Sequence, residues 1–436
     1  MKKLFTLMLI AVLCISTIFA GATKETAAET KAEEKAAGFS PITEKVTIKT
    51  WYTFGNTNEA NYLAAINDFN NSQDYITVEA TQQTWNEINA KIMAALAAGD
   101  PPDLIFCSAA ADTNNYVDME VAVDLLPFIQ DETIGIKDFD DYNPRVIEEA
   151  MQWDGKMYMF PISRTAETMY YDADFFKENN LQPPKTWAEL ETLCAKIHEI
   201  TGGYAIGSDY LDENYVDMVT QLGGEFIDYE NNVAPWDSEE SLTALKYFKN
   251  LEEKGYLRLK GDDSSLLSPF AAGITKMTMG TSANYSKIQK QYGSTFTIGV
   301  AQIPTIEGTK SDYVTMWGVN AVVLKSTPIK EQAAYEFLKF WTSADYQATW
   351  GIGYDAVPVR QSAIESEAYQ TYLKNAPSTS IVVESGDRLG YQPAATGGSA
   401  ATKAITSCID EILIGTLSID DAVAQYKAVA DDALQE

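Results

Sequence analysis

The spacing of apolar residues changes repeatedly between two periods along the chain. In short runs apolar and polar positions alternate, as in strands, and in longer runs apolar residues recur every three or four positions, as in amphipathic helices. The first strands are predicted at residues 46–52, 76–82 and 102–109, and the first helices at residues 58–71 and 84–99. A strand–helix–strand order implies parallel strands covered by helices. The pattern therefore predicts an α/β fold.

The same alternation continues through the rest of the chain. Further helices are predicted at 185–201, 238–255, 327–344 and 418–434, and further strands at 276–282 and 296–304. Thr186 and Glu189 have the T-x-x-E spacing of a capping box. Gly99, followed by an acid and two prolines, ends a helix just before a buried strand. More than one sheet is expected.

The amino-terminal segment has the features of an export signal. Two lysines precede an apolar run that ends in an A-x-A cleavage site, so residues 1–22 are predicted to be a secretory signal peptide. Residues 23–41 contain Ala, Glu, Lys and Thr without large apolar side chains, which predicts a flexible spacer. A lipid anchor at Cys14 is the less favoured alternative, because Leu13 occupies a position that usually holds a small residue. We expect a periplasmic or extracellular protein that does not insert into the membrane after processing.

The charge balance is strongly acidic. The chain has 32 Lys and Arg against 62 Asp and Glu, for a formal net charge of −30. Such a surface repels the phosphates of nucleic acids and anionic lipids, so neither is an expected partner. Cys107, Cys194 and Cys408 are too sparse for a disulfide framework, although one pair remains open. Their apolar contexts favour buried side chains over reactive thiols.

Residues needed for several catalytic and metal sites are missing from the sequence. His198 is the one histidine, which excludes a histidine-rich zinc site and disfavours Ser-His-Asp and Cys-His catalysis. The acidic run with Asp138, Asp140 and Glu149 has calcium-like spacing, but Asn143 followed by proline favours a helix cap. We expect no cofactor, no metal and no catalytic residue. A secreted glycosidase stays open, because it needs only two carboxylates.

Aromatic residues recur beside glycine, proline or polar residues, where loops are expected. These residues are Trp51, Trp85, Trp153, Trp236, Trp317, Trp350 and Tyr354. Aromatic faces pack against the C–H faces of sugar rings, and polar side chains hydrogen-bond sugar hydroxyls. A sugar site is one interpretation of this set, and an ordinary aromatic core is the other.

Several motifs follow the order and spacing of one protein family. They include "AKIMAALAAGDPPDLIF", "DGKMYMFPISRTAETMYYDADFFKENNLQPPKTWAEL" and, near the carboxyl end, "RLGYQP". These segments resemble the extracellular solute-binding proteins of bacterial ABC importers, in the group that takes up sugars and glycerol phosphate. The resemblance covers nearly all of the chain after the signal peptide.

The resemblance implies the periplasmic-binding-protein type II fold, with two α/β lobes, a hinge and a central ligand cleft. The amino-terminal lobe would comprise residues 42–162 and 303–342, and the carboxy-terminal lobe residues 163–302 and 343–436. Such lobes close on the ligand, and the permease subunits of the importer recognise the closed form. The family resemblance thus implies a monomeric, non-enzymatic receptor that delivers its ligand to an ABC permease.

The resemblance also implies ligand-binding positions, carried over one residue at a time. Aromatic positions would contact the ligand, hydroxyl-bearing and charged positions would hydrogen-bond it, and the glycine would let backbone approach it. The positions are Trp85, Ser163, Arg164, Thr165, Trp187, Thr281, Ser282, Trp317, Gly318, Asn320, Tyr354 and Arg388. Trp187 also fits a core position at a helix start.

Two departures from the glycerol-phosphate binders bear on the ligand. Ala109 replaces a glutamate that binds ligand hydroxyls in those proteins, and Trp317 and Asn320 stand in a segment that usually reads G-G-A. The loss of a polar partner and the gain of a stacking ring favour a neutral mono- or oligosaccharide. Glycerol 3-phosphate or a glycerophosphodiester is the alternative ligand.

The roles of two arginines decide between these ligands. A guanidinium group suits a phosphate bidentately, but it also hydrogen-bonds sugar hydroxyls or pins a neighbouring acid. Arg164 and Arg388 each have an acid close by in the sequence, Glu167 and Asp387 respectively, with which an ion pair could form.

Overall fold

The computed structural model describes residues 38–435 apart from 85–86, 108–109, 262–264, 294, 310 and 393. The predicted signal peptide, nearly all of the predicted spacer and Cys14 lie outside the described residues. Residues from Phe39 onward form one compact unit.

Strands are distributed along the whole unit. They are β1 (Val46–Tyr52), β2 (Ile76–Gln82), β3 (Leu104–Cys107), β4 (Phe160–Asp172), β5 (Ile206–Ser208), β6 (Leu257–Arg258), β7 (Met277–Thr281), β8 (Ile298–Ala301), β9 (Val314–Val323), β10 (Val357–Pro358) and β11 (Leu389–Gly390). The sequence therefore predicted β1 to β3, β7 and β8 at the correct places in the chain, but not the length of β4.

Helices connect and cover these strands. In the first half of the chain they are α1 (Asn56–Ser72), α2 (Ile88–Ala98), α3 (Ala110–Asp118), α4 (Leu126–Gln130), α5 (Pro144–Ala150), α6 (Ala173–Glu178), α7 (Trp187–Thr201) and α8 (Leu211–Leu222). In the second half they are α9 (Glu239–Glu253), α10 (Leu267–Ala271), α11 (Tyr285–Tyr292), α12 (Pro328–Trp341), α13 (Ala344–Tyr354), α14 (Gln361–Glu365), α15 (Glu367–Leu373), α16 (Pro377–Ser385), α17 (Gly398–Ile414) and α18 (Ile419–Leu434).

The strands pair along one path in the order β2-β1-β3-β9-β4-β7-β5-β6. The β1–β2 and β1–β3 pairs are parallel, as the strand–helix alternation predicted, whereas β9 lies antiparallel between β3 and β4. More than one sheet was expected, and the sheets share a strand, because β4 pairs with β9 along its first half and with β7 and β8 along its second half. The long strand β4 therefore connects the half of the path that begins at β2 with the half that ends at β6.

Two large hydrophobic cores lie along this path. The first core contains side chains of β1, β2, β3, α12 and the start of β4, and the second contains side chains of α7, α8, α9, α17 and the later part of β4. Ile303 packs in the second core, and Trp350 and Val359 pack in the first. The division into lobes at residues 162, 303 and 342 stays a prediction.

Local sequence signals fix several helix ends as predicted. Gly99 ends α2 with φ of 74°, the left-handed conformation that glycine adopts without steric cost. The Thr186 side chain accepts a hydrogen bond from the Glu189 backbone N–H at 3.1 Å, and the Glu189 carboxylate accepts one from the Lys185 N–H at 2.7 Å. Asn143 caps α5 by accepting from the Arg145 N–H at 2.9 Å.

The acidic run before α5 binds an arginine. Arg360 lies 2.6 Å from Asp138 and 3.2 Å from Asp141, measured between side-chain nitrogen and oxygen atoms. The part of the chain that the structure describes contains no group of three or more acidic, histidine or cysteine side chains arranged to hold a metal ion.

Cys194 and Cys408 are free and buried, and burial raises the pKa of the Cys408 thiol to about 12. The side chain of Cys107 lies outside the described residues. Among the described helices, none combines the length and the apolar character that crossing a membrane requires.

Candidate functional site

A cavity of about 440 Å³ opens where strands of both halves of the path end. Its lining residues come from the loops after β1 and β5, from the strands β3, β4, β7 and β9, and from the ends of the helices α1, α8 and α13. They are Thr53, Phe54, Gly55, Asn58, Phe106, Thr165, Tyr210, Glu213, Thr281, Trp317, Gly318, Val319 and Tyr354. We call this space the central cavity.

The topology explains why these residues meet. Phe54 follows the carboxyl end of β1, Tyr210 follows that of β5, and Thr281 is the last residue of β7. In open α/β sheets ligands bind in the crevice outside the carboxyl ends of the strands, where strand order changes direction. The central cavity occupies that kind of position.

Two aromatic surfaces line the central cavity. On one side the rings of Tyr210 and Trp317 lie 4.9 Å apart between centroids, at 45° to each other. On another side Tyr354 and Phe54 contact edge to face at 6.3 Å, and Trp350 stacks behind Tyr354 at 5.2 Å. Trp317 and Tyr354 are partly exposed, so part of each ring is free to meet a ligand.

Polar groups stand beside the rings. Thr165 on β4 lies directly opposite Trp317 on β9, and Thr281 on β7 lies opposite Glu167 on β4. Thr165, Thr281 and Asn58 give the cavity hydroxyl and amide groups that both donate and accept hydrogen bonds. Glu213 is the acid that lines the cavity, and none of its described lining residues is Lys, Arg or His.

Three carboxyl groups from α8 and β4 lie close together behind the Trp317 side of the cavity. Glu213 is hydrogen-bonded by Trp317 and Thr315, and its Oε2 accepts from Gln392 at 3.2 Å. Asp217 is fully buried and accepts from the Thr315 backbone N–H and hydroxyl, both at 2.8 Å. Burial and the charges of neighbouring acids, Asp217 among them, raise the pKa of Glu213 to about 8.

The other two pKa shifts in this group have the same main cause. Burial raises the pKa of Asp217 to about 7, although its hydrogen bonds with Thr315 lower it. Burial, together with the charges of Asp217 and Glu213, holds the pKa of Glu167 well above its ordinary value. These three groups therefore retain protons at pH values where exposed carboxyls are ionised.

Of the residues predicted from the sequence, five line the central cavity: Thr165, Thr281, Trp317, Gly318 and Tyr354. The expectation that Trp317 and Tyr354 lie in loops is wrong, because Trp317 is inside β9 and Tyr354 ends α13. The neighbouring glycines do not break these elements. Gly318 is held in a strand ladder, and Gly353 is in the last turn of the helix.

Four predicted residues are buried beside the cavity without lining it: Ser163, Arg164, Ser282 and Asn320. Arg164 forms an ion pair with Glu149 at 2.6 Å and donates to the Ser163 carbonyl at 2.9 Å. Its acid partner is therefore Glu149 and not Glu167. The Ser282 hydroxyl accepts from the Ala166 backbone N–H at 3.4 Å. The arrangement brings these four residues close to the cavity as parts of its frame.

Two predicted residues lie elsewhere. Trp187 is 2% exposed, packs in the second core, and donates from its indole to the Gln221 side chain at 2.9 Å. Arg388 lines a separate surface cavity, where it bonds the Gln302 side chain at 2.6 Å and pairs with Asp312 at 3.0 Å.

The last predicted residue, Trp85, and the substituted position Ala109 lie outside the described residues. Among the other aromatic residues that suggested a sugar site, Trp236 and Trp350 are core residues, less than 3% exposed.

The sequence reasoning did not find Phe54, Asn58, Tyr210 or Glu213. A usable signal was present for Phe54 and Asn58, because both follow the end of the predicted strand β1 within a few residues. Tyr210 and Glu213 were missed because β5 has only three residues, too few to show an alternating pattern.

Known proteins resemble this chain in sequence and in structure. The chain is 24% identical over 347 residues to the sn-glycerol-3-phosphate-binding periplasmic protein UgpB of Rhizobium meliloti (strain 1021), covering 76% of this chain and 79% of that protein. Its structure is similar to that of the cyclic alpha-maltosyl-1,6-maltose binding protein from Arthrobacter globiformis, with TM-score 0.78 and 22% identity, covering 90% of this chain and 99% of that one. It is also similar to UgpB from Mycobacterium tuberculosis in complex with glycerophosphocholine, with TM-score 0.76 and 18% identity, again covering 90% and 99%.

A family-level match extends over most of the same region. The sequence model described as bacterial extracellular solute-binding protein matches residues 64–377. This range contains nine of the thirteen residues that line the central cavity, and the other four, Thr53, Phe54, Gly55 and Asn58, lie just before it.

Proposed function

The chain belongs to the bacterial extracellular solute-binding proteins, and from this premise we propose that it binds a mono- or oligosaccharide in the central cavity and delivers it to an ABC permease. The protein is then an exported receptor, monomeric and without catalytic activity of its own. Ligand binding in the cavity closes the two predicted lobes about the crossing strands β4 and β9. The closed form is the one that the permease subunits recognise.

The observation that carries this proposal is the lining of the central cavity. The exposed parts of Trp317 and Tyr354 offer flat faces to a sugar ring, and Thr165, Thr281 and Asn58 offer hydroxyl and amide groups to its hydroxyls. A cavity of about 440 Å³ is within the size range of small-ligand sites. Of the two structural relatives described above, one is named for an oligosaccharide.

Glycerol 3-phosphate is the second candidate ligand, because UgpB proteins are among the relatives. A phosphate needs cations or clustered N–H donors, and the described lining offers an acid and no cation. Arg164 and Arg388, the arginines that could have served it, are bonded to Glu149 and Asp312. The charge of the cavity therefore favours a sugar.

Alanine substitution of the two cavity rings tests the sugar site. We expect Trp317→Ala and Tyr354→Ala each to weaken sugar binding at least about tenfold, because stacking contacts and buried aromatic area are lost. Binding is measured by calorimetry after screening sugars by thermal shift, since a ligand at a hundred times its Kd adds about 2.7 kcal/mol to the free energy of unfolding. Trp153→Ala and Tyr75→Ala, which lie outside the cavity, are the matched controls.

Three results would contradict the proposal. Equal sugar affinity in all four variants would show that the rings do not contact the ligand. Tight binding of glycerol 3-phosphate without sugar binding would favour the second candidate. Hydrolysis of a glycoside at enzymatic rates would favour a glycosidase.

A further inference from the structure

The carboxylates behind Trp317 form a group that spans two elements. Glu213 and Asp217 lie one turn apart on α8, and Glu167 reaches them from β4. Asn214 donates to Glu167 Oε2, and Asn214 itself accepts from the Ser208 hydroxyl at 2.7 Å. We call Glu167, Glu213 and Asp217 the acid group.

The acid group has more acceptor atoms than the protein fills. Glu167 is 3% exposed and Asp217 fully buried, yet Glu167 Oε1 and Asp217 Oδ2 have no hydrogen-bond partner among the described residues. A buried carboxylate oxygen without a partner is costly, because it has lost its water. The described part of the chain therefore leaves two carboxyl oxygens of the acid group without a donor.

No cation of the protein balances this group within the described part of the chain. None of the ion pairs found there involves Glu167, Glu213 or Asp217. Arg388 acts on Asp217 only as a minor influence and is itself bonded to Gln302 and Asp312. The described residues therefore do not supply the positive charge that would allow these acids to ionise together, whereas protons or a cationic ligand would supply it.

The acid of the group that lines the cavity is next to two aromatic rings. Glu213 accepts a hydrogen bond from Trp317, and Trp317 lies 4.9 Å from Tyr210 between ring centroids. Aromatic faces attract cations, and they do so most strongly where water is excluded. A carboxylate flanked by such rings, with no competing cation, suits a compact ammonium group.

We propose that the sugar bound in the central cavity carries a positively charged amino group, held by Glu213 against the rings of Tyr210 and Trp317. This inference rests on the proposed function and replaces the neutral sugar expected from the sequence with a positively charged amino sugar. A sugar hydroxyl would donate one hydrogen bond to one carboxyl group but would bring no positive charge that allows the group to ionise. An ammonium group supplies both donors and charge.

Matched sugars test the inference. Calorimetric titrations compare hexoses with the corresponding 2-amino-2-deoxyhexoses, and cello-oligosaccharides with chitosan oligosaccharides of equal length. We expect the amino member of at least one pair to bind at least about tenfold more tightly, a factor typical of a charge-assisted hydrogen bond. Its measured enthalpy at pH 7 should also depend on the ionisation enthalpy of the buffer, because the incoming ammonium displaces protons from the acid group.

Substitutions of single acids test whether Glu213 causes the preference for the amino sugar. In Glu213→Gln the preference for the amino sugar should fall to within about threefold, while Glu199→Gln, an exposed acid on α7, should keep it. Glu167→Gln is a second test, and in it the buffer dependence of the enthalpy should decrease. If Glu213 only supported the fold, these substitutions would change neither the preference for the amino sugar nor the buffer dependence of the binding enthalpy.

The outcomes separate this inference from the proposed function. Neutral sugars that bind as tightly as their amino partners would overturn the inference and leave the sugar receptor standing. An amino preference that survives Glu213→Gln would overturn the assignment to Glu213. If no sugar of either kind binds, the proposed function is contradicted and the inference with it.

Discussion

At the scale of single residues, Gly318 is determined by its neighbours across the ladder. A Cβ atom at this position would lie 2.6 Å from the Ser163 carbonyl oxygen and would collide with the Arg164 guanidinium. Arg164 cannot easily move, because it is buried and bonded to Glu149 and to that same carbonyl. The glycine therefore makes room for an ion pair of the protein as well as lining the cavity.

We expect Gly318→Ala to lower the free energy of unfolding by about 1–3 kcal/mol, as overpacking against fixed atoms does. Sugar affinity should fall as well, since β9 carries Trp317 next to the shifted position. Gly203→Ala is the matched control, because an added Cβ there would have no contact closer than 3.8 Å. Urea unfolding and calorimetry measure both effects. A variant as stable as Gly203→Ala would show that the crossing of β4 and β9 is not tightly packed.

At the scale of elements, α7 shows how a predicted ligand contact becomes a packing residue. Trp187 is the first residue of α7 and lies edge to face with Tyr247 and Phe248. Its carbonyl accepts from the Tyr247 hydroxyl at 2.7 Å, and its indole is bonded to Gln221. The ring thus fastens α7 to α8 and α9.

Trp187→Ala should therefore lower the free energy of unfolding by about 3–5 kcal/mol, the usual cost of removing a large buried ring. The folded variant should bind sugar with nearly unchanged affinity, in contrast to Trp317→Ala. Chemical unfolding and calorimetry below the unfolding transition measure the two properties. A stable Trp187→Ala protein that has lost sugar binding would restore this residue to the ligand site.

The sequence was informative wherever a signal is local to one element. The capping box of α7, the glycine at the end of α2 and the alternation in β1 and β2 each depend on neighbours within a few residues. The site needed contacts between distant segments. Ser163 and Arg164 were expected to contact the ligand, whereas the pairing with β9 and Glu149 places them in the buried frame beside the central cavity. Glu213 could be recognised only once α8 and β9 were brought together.

At the scale of the whole molecule, the response to pH should come from carboxyl groups. The chain has 62 acidic residues and one histidine, and burial raises the pKa of Glu213 to about 8 and of Asp217 to about 7. A carboxyl with a higher pKa in the folded chain than in the unfolded chain favours folding fully below its unfolded value. That contribution is lost as pH rises through its folded value.

We therefore expect the free energy of unfolding to decrease as pH is raised from 5 to 8. The decrease should be smaller by about 1–3 kcal/mol in Glu213→Gln, which has no proton to lose at this position. Glu199→Gln should retain the dependence of the unsubstituted protein. Urea unfolding at several pH values measures it. A stability that rises over this range would mean that Glu213 is ionised in the folded protein without cost.

The continuity of β4 also bears on how the molecule loses its structure. Phe160 and Ile162 of this strand belong to the first core, and Ala166 and Met169 to the second. Neither core can come apart without freeing side chains and ladder bonds on the strand that also supports the other. Loss of packing in one core therefore destabilises the other core through β4. We expect the two halves to unfold as one cooperative unit.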